Sequence, residues 1–332
     1  MIISKTPYRV SFFGGGTDYP AWYLNEGGAV LSTTIDKYCY ISCRVKPPFF
    51  ENKYLIVWSH IEAVSTIPEI LHPAVREGLR FLGFNGGEMG LEIHHQGDLP
   101  ARAGMGSSSS FAVGLIKALT AHLGQMTEKH ELALKAIELE RSILKENVGS
   151  QDQFAAAYGG FNRIHFLRSG EIRVEPVIIP SEKMSALESR LMLFYTGTSR
   201  LGSEIAGEVI ANLDKKQTVL RKMRGMVDEA LSILCKQEDL NDFGRLLNES
   251  WILKRNLASN VSNPAIDKVY TKAIENGALG GKLLGAGSSG FLIFYVPLEK
   301  QEDVKDALGG YLHVPFKFED EGSTIIYYTN RH

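Results

Sequence analysis

Pro100-Ala101-Arg102-Ala103-Gly104-Met105-Gly106-Ser107-Ser108-Ser109-Ser110 runs directly into the apolar stretch Phe111 to Leu123. The two glycines let a backbone approach a ligand closely, and the four serines bring hydroxyls and N–H groups to the start of a helix. Unpaired N–H groups and the positive end of the helix dipole converge there, which suits a phosphate. A plain helix cap needs a single serine, not four behind two glycines. A Walker A loop is excluded, because no lysine follows a G-x-x-x-x-G spacing.

Composition frames this loop. A chain of 332 residues with 44% apolar and 22% charged residues fits two folded domains better than one. The formal net charge of −2 argues against nucleic acid or an anionic membrane as the main partner. Gly14-Gly15-Gly16 interrupts the first apolar run, so no secretory signal is expected, and no 18-residue apolar span exists. Three cysteines make a poor disulfide framework; Cys39 and Cys43 share one face of an alternating strand and are expected to be buried. No Cys or His cluster has zinc spacing, and a cytoplasmic chain, monomer or homodimer, is the expectation.

Periodicity predicts strands at Tyr8 to Phe13, Ala29 to Thr34, Lys37 to Val45, Tyr54 to Ser59 and Gly90 to His94, with short helices near Pro20 to Asn25 and Pro73 to Leu82. Helices follow at Ser108 to Leu123, from an N-cap at Thr127 to about Glu146, and from Gln151 to Ala157; strands return at Phe161 to Phe166 and Ile172 to Ile179. The polar segment Pro180 to Ser189 reads as the boundary between a first domain, 1–180, and a second, 181–332. Beyond a strand at Leu191 to Tyr195, helices cover most of 203–276. Strands at Lys282 to Leu284 and Phe291 to Val296, a helix near 299–308 and strands near 313–318 and 324–329 complete an α+β chain without internal repeats.

Three further stretches carry polar chemistry. Gly285-Ala286-Gly287-Ser288-Ser289-Gly290 has the G-x-G-x-x-G form, but a strand follows it instead of a helix, which rules out a dinucleotide fingerprint. Asn147-Val148-Gly149-Ser150-Gln151-Asp152-Gln153-Phe154 places Asp152 just inside a helix start, where a carboxylate also satisfies the dipole. Pro7-Tyr8-Arg9-Val10 leads into Gly14-Gly15-Gly16-Thr17-Asp18-Tyr19, a strand ending in a loop that suits a polar ligand or a tight turn.

In this order the four stretches resemble the GHMP kinases: galactokinase, homoserine kinase, mevalonate kinase and phosphomevalonate kinase. The resemblance spans essentially the whole chain. It implies a two-domain α+β fold with the active site in the interdomain cleft, ATP and Mg²⁺ as cofactors, and a small-molecule alcohol as acceptor. Gly104, Met105, Gly106, Ser107, Ser108 and Ser109 would then wrap the ATP phosphates. Ser108 and Glu140 would hold Mg²⁺, Asp152 would be the catalytic base, and Arg9 would be the basic partner beside the reacting hydroxyl. Phosphoryl transfer asks mainly for such positioning and charge stabilisation.

Galactokinases carry Glu-His before Thr-Asp, where this chain has Gly15-Gly16 before Thr17-Asp18. Gly-Gly-Gly-Thr-Asp-Tyr is instead similar to the D-glycero-D-manno-heptose 7-phosphate kinases, which phosphorylate an anomeric hydroxyl. So are Asn248-Glu249-Ser250-Trp251 with Lys254, and Asn276 to Gly287. That likeness implies a sugar phosphate as substrate, with Gly16, Thr17, Asp18 and Gly287 as substrate-binding residues. Arg200, in Thr196-Gly197-Thr198-Ser199-Arg200, reads either as a contact to the sugar's phosphate or as part of a solvated loop that caps the next helix. Lys254 reads either as a further phosphate contact or as part of a solvated helix face. A fucokinase-like enzyme acting on an unphosphorylated sugar is the alternative. Ser288-Ser289 stand where the third motif usually continues in glycine, so a positive φ there would strain the loop.

Overall fold

The computed structural model describes residues 1–85, 89–197, 202–236 and 239–329. Two sheets organise it. The larger contains β1 (Ile2–Phe13), β2 (Gly28–Lys46), β3 (Tyr54–Val57), β4 (Ile61–Val64), β5 (Gly90–Gly97), β6 (Phe161–Phe166) and β7 (Ile172–Pro176). The smaller contains β8 (Leu191–Tyr195), β9 (Gly280–Leu283), β10 (Phe291–Tyr295) and β11 (Leu312–His313) in the order β11-β8-β10-β9. The chain then crosses back: β12 (Phe318–Glu319) pairs with β2, and β13 (Thr324–Tyr328) pairs with β1.

That return corrects the expectation that everything after residue 180 belongs to the second half. β1 would otherwise be an edge strand, and β13 satisfies its open row of N–H and C=O groups. The two strands expected at 29–34 and 37–45 are one continuous β2, antiparallel to β1 from Ile2↔Cys43 to Phe13↔Leu31. The register slips between Pro7 and Tyr8, where proline has no N–H to give, and the slip leaves Asp36 and Lys37 without partners on β1. Cys39 and Cys43 are buried, as their shared face predicts. The polar segment 180–189, read as the place of the domain boundary, forms a helix, Ser181–Glu188, with Leu187 packed into the core.

Helix Ser107–His122 lies against β1 and β2 and is buried nearly all round, from Phe111 and Val113 to Leu115 and Leu119. The helix expected from Thr127 to Glu146 is α-helical only over Lys129–Ile137, capped at Glu128, and then widens into a π-helical segment, Glu138–Ile143. Helix Gln217–Cys235 from the second half packs on β1 and β2. Arg221 grips Glu26 with two bonds of 3.0 Å, and Arg163 reaches Asp228 at 2.7 Å. Between the halves lies an open cleft of about 260 Å³.

Candidate active site

Arg9 leaves β1 toward the cleft and is 3% exposed. Its Nε and Nη2 donate to the two carboxylate oxygens of Asp152 at 2.7 and 2.8 Å, and Nη1 donates to the Gly104 carbonyl at 2.8 Å. The guanidinium thus fixes the Asp152 carboxylate in a fork geometry and ties it to the serine-rich loop. Asp152 stands in the first turn of helix Gln151–Tyr158. Gly106, at φ +73, is the residue before helix Ser107–His122; a Cβ there would meet the Arg9 side chain at 3.3 Å and Asp152 at 3.5 Å. The helix N-terminus, the arginine and the carboxylate therefore share one corner of the cleft.

Of the loop residues expected to meet phosphates, Gly104, Gly106, Ser107 and Ser108 line the cleft. Met105 does not present its side chain there; it is buried in the core, and its carbonyl accepts from the Arg9 N–H at 3.2 Å. Ser109 also turns inward, donating to Oε2 of Glu140 at 2.7 Å. Gln153 donates to the same oxygen at 2.6 Å. Burial pushes the Glu140 carboxyl up to about 7, against the pull of the hydrogen bonds from Ser109 and Gln153. Its other oxygen, Oε1, is buried without a hydrogen-bond partner among the described residues. An orphaned carboxylate oxygen beneath a serine that lines the cleft is a donor set that fits a hard divalent cation.

A second carboxylate, Asp18, stands near Asp152 but is held differently. It is 2% exposed and accepts from the Gly16 N–H at 3.0 Å and from the Gln151 side-chain amide at 3.1 Å. Ser11 Oγ donates to the other end of that amide at 2.7 Å. Burial first, then the charge of Asp152, pushes the Asp18 carboxyl up, while the Gly16 and Gln151 hydrogen bonds oppose the shift. Gly149 makes room for it: a Cβ there would fall 1.8 Å from Asp18 Oδ2.

Thr17 is the clear correction. Its side chain is fully buried, with its single O–H shared between the carbonyls of Gly14 at 2.8 Å and Ala29 at 3.0 Å and its oxygen accepting from the Ala29 N–H at 3.2 Å. The hydroxyl staples its own loop to β2, and its burial keeps it from a ligand in the cleft. Gly16 and Gly287 do line the cleft. The room left at Gly16 is bounded by the second half, since a Cβ there would meet Leu220 at 3.2 Å and Leu257 at 3.5 Å. Above Gly15 the nearest atoms are about as far as ordinary contact allows, Gln151 at 3.9 Å and Ser11 at 4.0 Å. Arg200 lies outside the described residues.

The opposite wall is the third glycine stretch. Gly104 and Gly285 meet backbone to backbone: a Cβ on Gly104 would lie 2.4 Å from the Leu284 oxygen, and one on Gly285 would lie 2.4 Å from the Gly104 Cα. Ser288 does adopt a positive φ, +67. Lys254 is no solvated face residue; its Nζ donates to the carbonyls of Leu283 and Gly285 at 2.7 and 2.5 Å. Lys282, not singled out by the sequence, lines the cleft with its Nζ on the Phe12 carbonyl at 2.8 Å. Ser11 and Gln151 were likewise missed as site residues; their place beside Gly15 in the first and third polar stretches was the available signal.

Comparison with known proteins places this geometry. Residues 71–160 match the GHMP kinases N terminal domain, and residues 230–313 match the GHMP kinases C terminal domain. The D-glycero-alpha-D-manno-heptose 7-phosphate kinase of Campylobacter jejuni is 30% identical, with 97% of each chain covered. The galactokinase of Pyrococcus furiosus is 26% identical, with 92% of each covered. Among solved structures, a D-glycero-D-manno-heptose 1-phosphate kinase from Bacteroides thetaiotaomicron superposes with a TM-score of 0.80 at 25% identity, over 99% of this chain and 100% of that one. With both domains matched and the likeness to the Campylobacter jejuni kinase covering 97% of each chain, the chain belongs to the GHMP kinase family.

Proposed function

We propose that the protein is an ATP-dependent sugar kinase that phosphorylates the anomeric hydroxyl of D-glycero-D-manno-heptose 7-phosphate to give the 1,7-bisphosphate. The observation that carries the reading is the two-pronged Arg9–Asp152 pair facing the helix N-terminus at Ser107 in one cleft. The ATP phosphates sit on the Gly104–Ser108 backbone and hydroxyls, where the N–H groups of the helix start converge. Glu140 and Ser108 hold Mg²⁺, which neutralises phosphate charge when bound. Asp152 takes the proton of the attacking hydroxyl, and Arg9 keeps its carboxylate aimed. Asp18, braced by Gln151 and Ser11, receives sugar hydroxyls, and the room above Gly15 is left for a longer sugar than a hexose.

The likeness to a heptose 7-phosphate kinase over 97% of both chains supports the choice of acceptor. A coupled ADP-release assay over phosphorylated and free sugars tests it. Turnover is expected with the heptose 7-phosphate and at most weakly with free L-fucose or galactose. A preference for a free sugar overturns the acceptor while leaving the kinase chemistry standing.

A further inference from the structure

The wall of the cleft formed by the second half carries two ammonium groups, Lys282 buried and Lys254 half-buried. Lys254 comes from helix Asn241–Arg255 and Lys282 from β9, and both line the cleft. Among the described residues, neither has a carboxylate within ion-pair distance; their partners are the backbone carbonyls of Leu283, Gly285 and Phe12. An ammonium has three N–H donors, so these carbonyls leave one free on Lys254 and two on Lys282. Of the other two cations that line the cleft, Arg9 is already neutralised by Asp152 and Arg102 is exposed to solvent, and Asp18 is held by amide N–H groups.

Two like charges buried together are costly unless an anion joins them. Burial, with Arg9 adding to it, pushes the Lys282 ammonium down to about 7. Burial, then the charges of Lys282 and Arg9, pushes Lys254 well below the ordinary lysine range. A dianion between them would reverse both shifts and use the remaining N–H donors.

We propose that Lys254 and Lys282 form a phosphate subsite that holds a phosphoryl group already carried by the acceptor sugar. The subsite rests on the sugar-kinase reading above but does not depend on the sugar being a heptose. The ATP phosphates have their own cradle at the serine loop on the first domain, whereas these lysines stand on the second, with Lys282 reaching the end of β1, beside the Gly14–Asp18 loop. The nucleotide's terminal phosphoryl is the other source of the same chemistry, and the test separates the two.

Orthophosphate is titrated calorimetrically into the protein saturated with Mg²⁺ and a non-hydrolysable ATP analogue, so that the terminal phosphoryl position is filled. The wild type should still bind orthophosphate, and Lys282→Gln and Lys254→Gln should each weaken that binding at least tenfold. Lys254 also clamps the third glycine stretch, so Lys282→Gln, with its melting temperature measured alongside, carries the decision if Lys254→Gln does not fold. Orthophosphate binding that vanishes once the analogue is present, or that is unchanged in folded Lys282→Gln, overturns the subsite. In turnover, the ratio of kcat/KM for sugar phosphate over free sugar should fall about ten- to a hundredfold in Lys282→Gln. A wild type that binds orthophosphate through Lys282 yet ignores heptose 7-phosphate upholds the subsite and overturns only the heptose reading.

Discussion

The cleft is closed by two glycine- and serine-rich stretches that look alike in sequence and differ in physics. Residues 104–110 open a long buried helix, and Gly104, Gly106, Ser107 and Ser108 line the cleft with the positive end of its dipole behind them. Residues 285–290 join β9 to β10, with no helix behind them; their cationic character comes from Lys254 and Lys282. The first stretch attracts anions through its backbone, the second through side chains held on backbone carbonyls. A phosphoryl donor and a phosphorylated acceptor would find separate sites, one on each domain, with Arg9 and Asp152 between them.

The sharpest way to break the comparison is to remove the chemistry while leaving both stretches intact. Asp152→Asn keeps the shape and one of the two hydrogen bonds from Arg9, since the amide NH2 cannot accept, and it removes the proton acceptor, so turnover should fall at least a hundredfold with nucleotide affinity retained. Single-turnover rates and nucleotide titration check this; near-normal turnover would take Asp152 out of the reaction. The contact between the stretches comes next. Gly104→Ala puts a Cβ 2.4 Å from the Leu284 oxygen at a backbone φ of +82, so both walls must shift. A loss of about 1–3 kcal/mol is expected, read as a melting temperature lowered by roughly 2–10 °C. An unshifted melting temperature would mean that the walls are not in contact in solution.

A subtler handle is the acid beneath the first stretch. The Glu140 carboxyl is raised from 4.5 to about 7 by burial. For an acid with a raised pKa, charging it in the fold costs stability, and that cost grows as pH rises from the unfolded value through the folded one. A cation that pairs with the carboxylate relieves the cost. Mg²⁺ affinity should therefore be about tenfold higher at pH 8 than at pH 6, and the difference should disappear in Glu140→Gln. Isothermal titration at the two pH values measures it; a flat profile in the wild type would place the metal on other ligands.

Much of this was legible in the sequence, for particular reasons. Glycine and serine before an apolar helix announce a phosphate loop, because backbone freedom and N–H supply are local properties. Arg9 and Asp152 were singled out only through the resemblance of the motifs around them to those of the GHMP kinases; an Asp in a first helical turn reads by itself as a dipole contact. Thr17 was not, since a threonine hydroxyl in a turn looks the same whether it serves the chain or a ligand; only the positions of Gly14 and Ala29 decide it. The pairing of β13 with β1 joins residues more than 300 apart, and no local pattern encodes so distant a register. Lys254 stands three residues after Trp251 and seven after Leu247, on the buried stripe of its helix, so the periodicity offered its inward direction; what it could not offer was the third glycine stretch whose carbonyls receive its ammonium.

The smallest expected effect concerns Ser288, the residue that sets the second stretch apart from an all-glycine turn. Its φ of +67 costs a residue with a side chain on the order of 1 kcal/mol. Ser288→Gly removes that strain but frees the unfolded chain, which offsets roughly 0.5–1 kcal/mol of the gain. The backbone bonds that hold the position, from the Ser288 N–H to the Val261 carbonyl at 2.9 Å and from Asn263 to the Ser288 carbonyl at 2.8 Å, survive the change. The net should be a stabilisation of less than about 1 kcal/mol, a rise in melting temperature of about 2 °C or less. Ser288→Val, whose branched side chain tolerates a positive φ poorly, should move the other way. If Ser288→Gly instead lowers the melting temperature, the serine side chain contributes more than its backbone strain costs, and the second stretch is held by side chains even at its tightest turn.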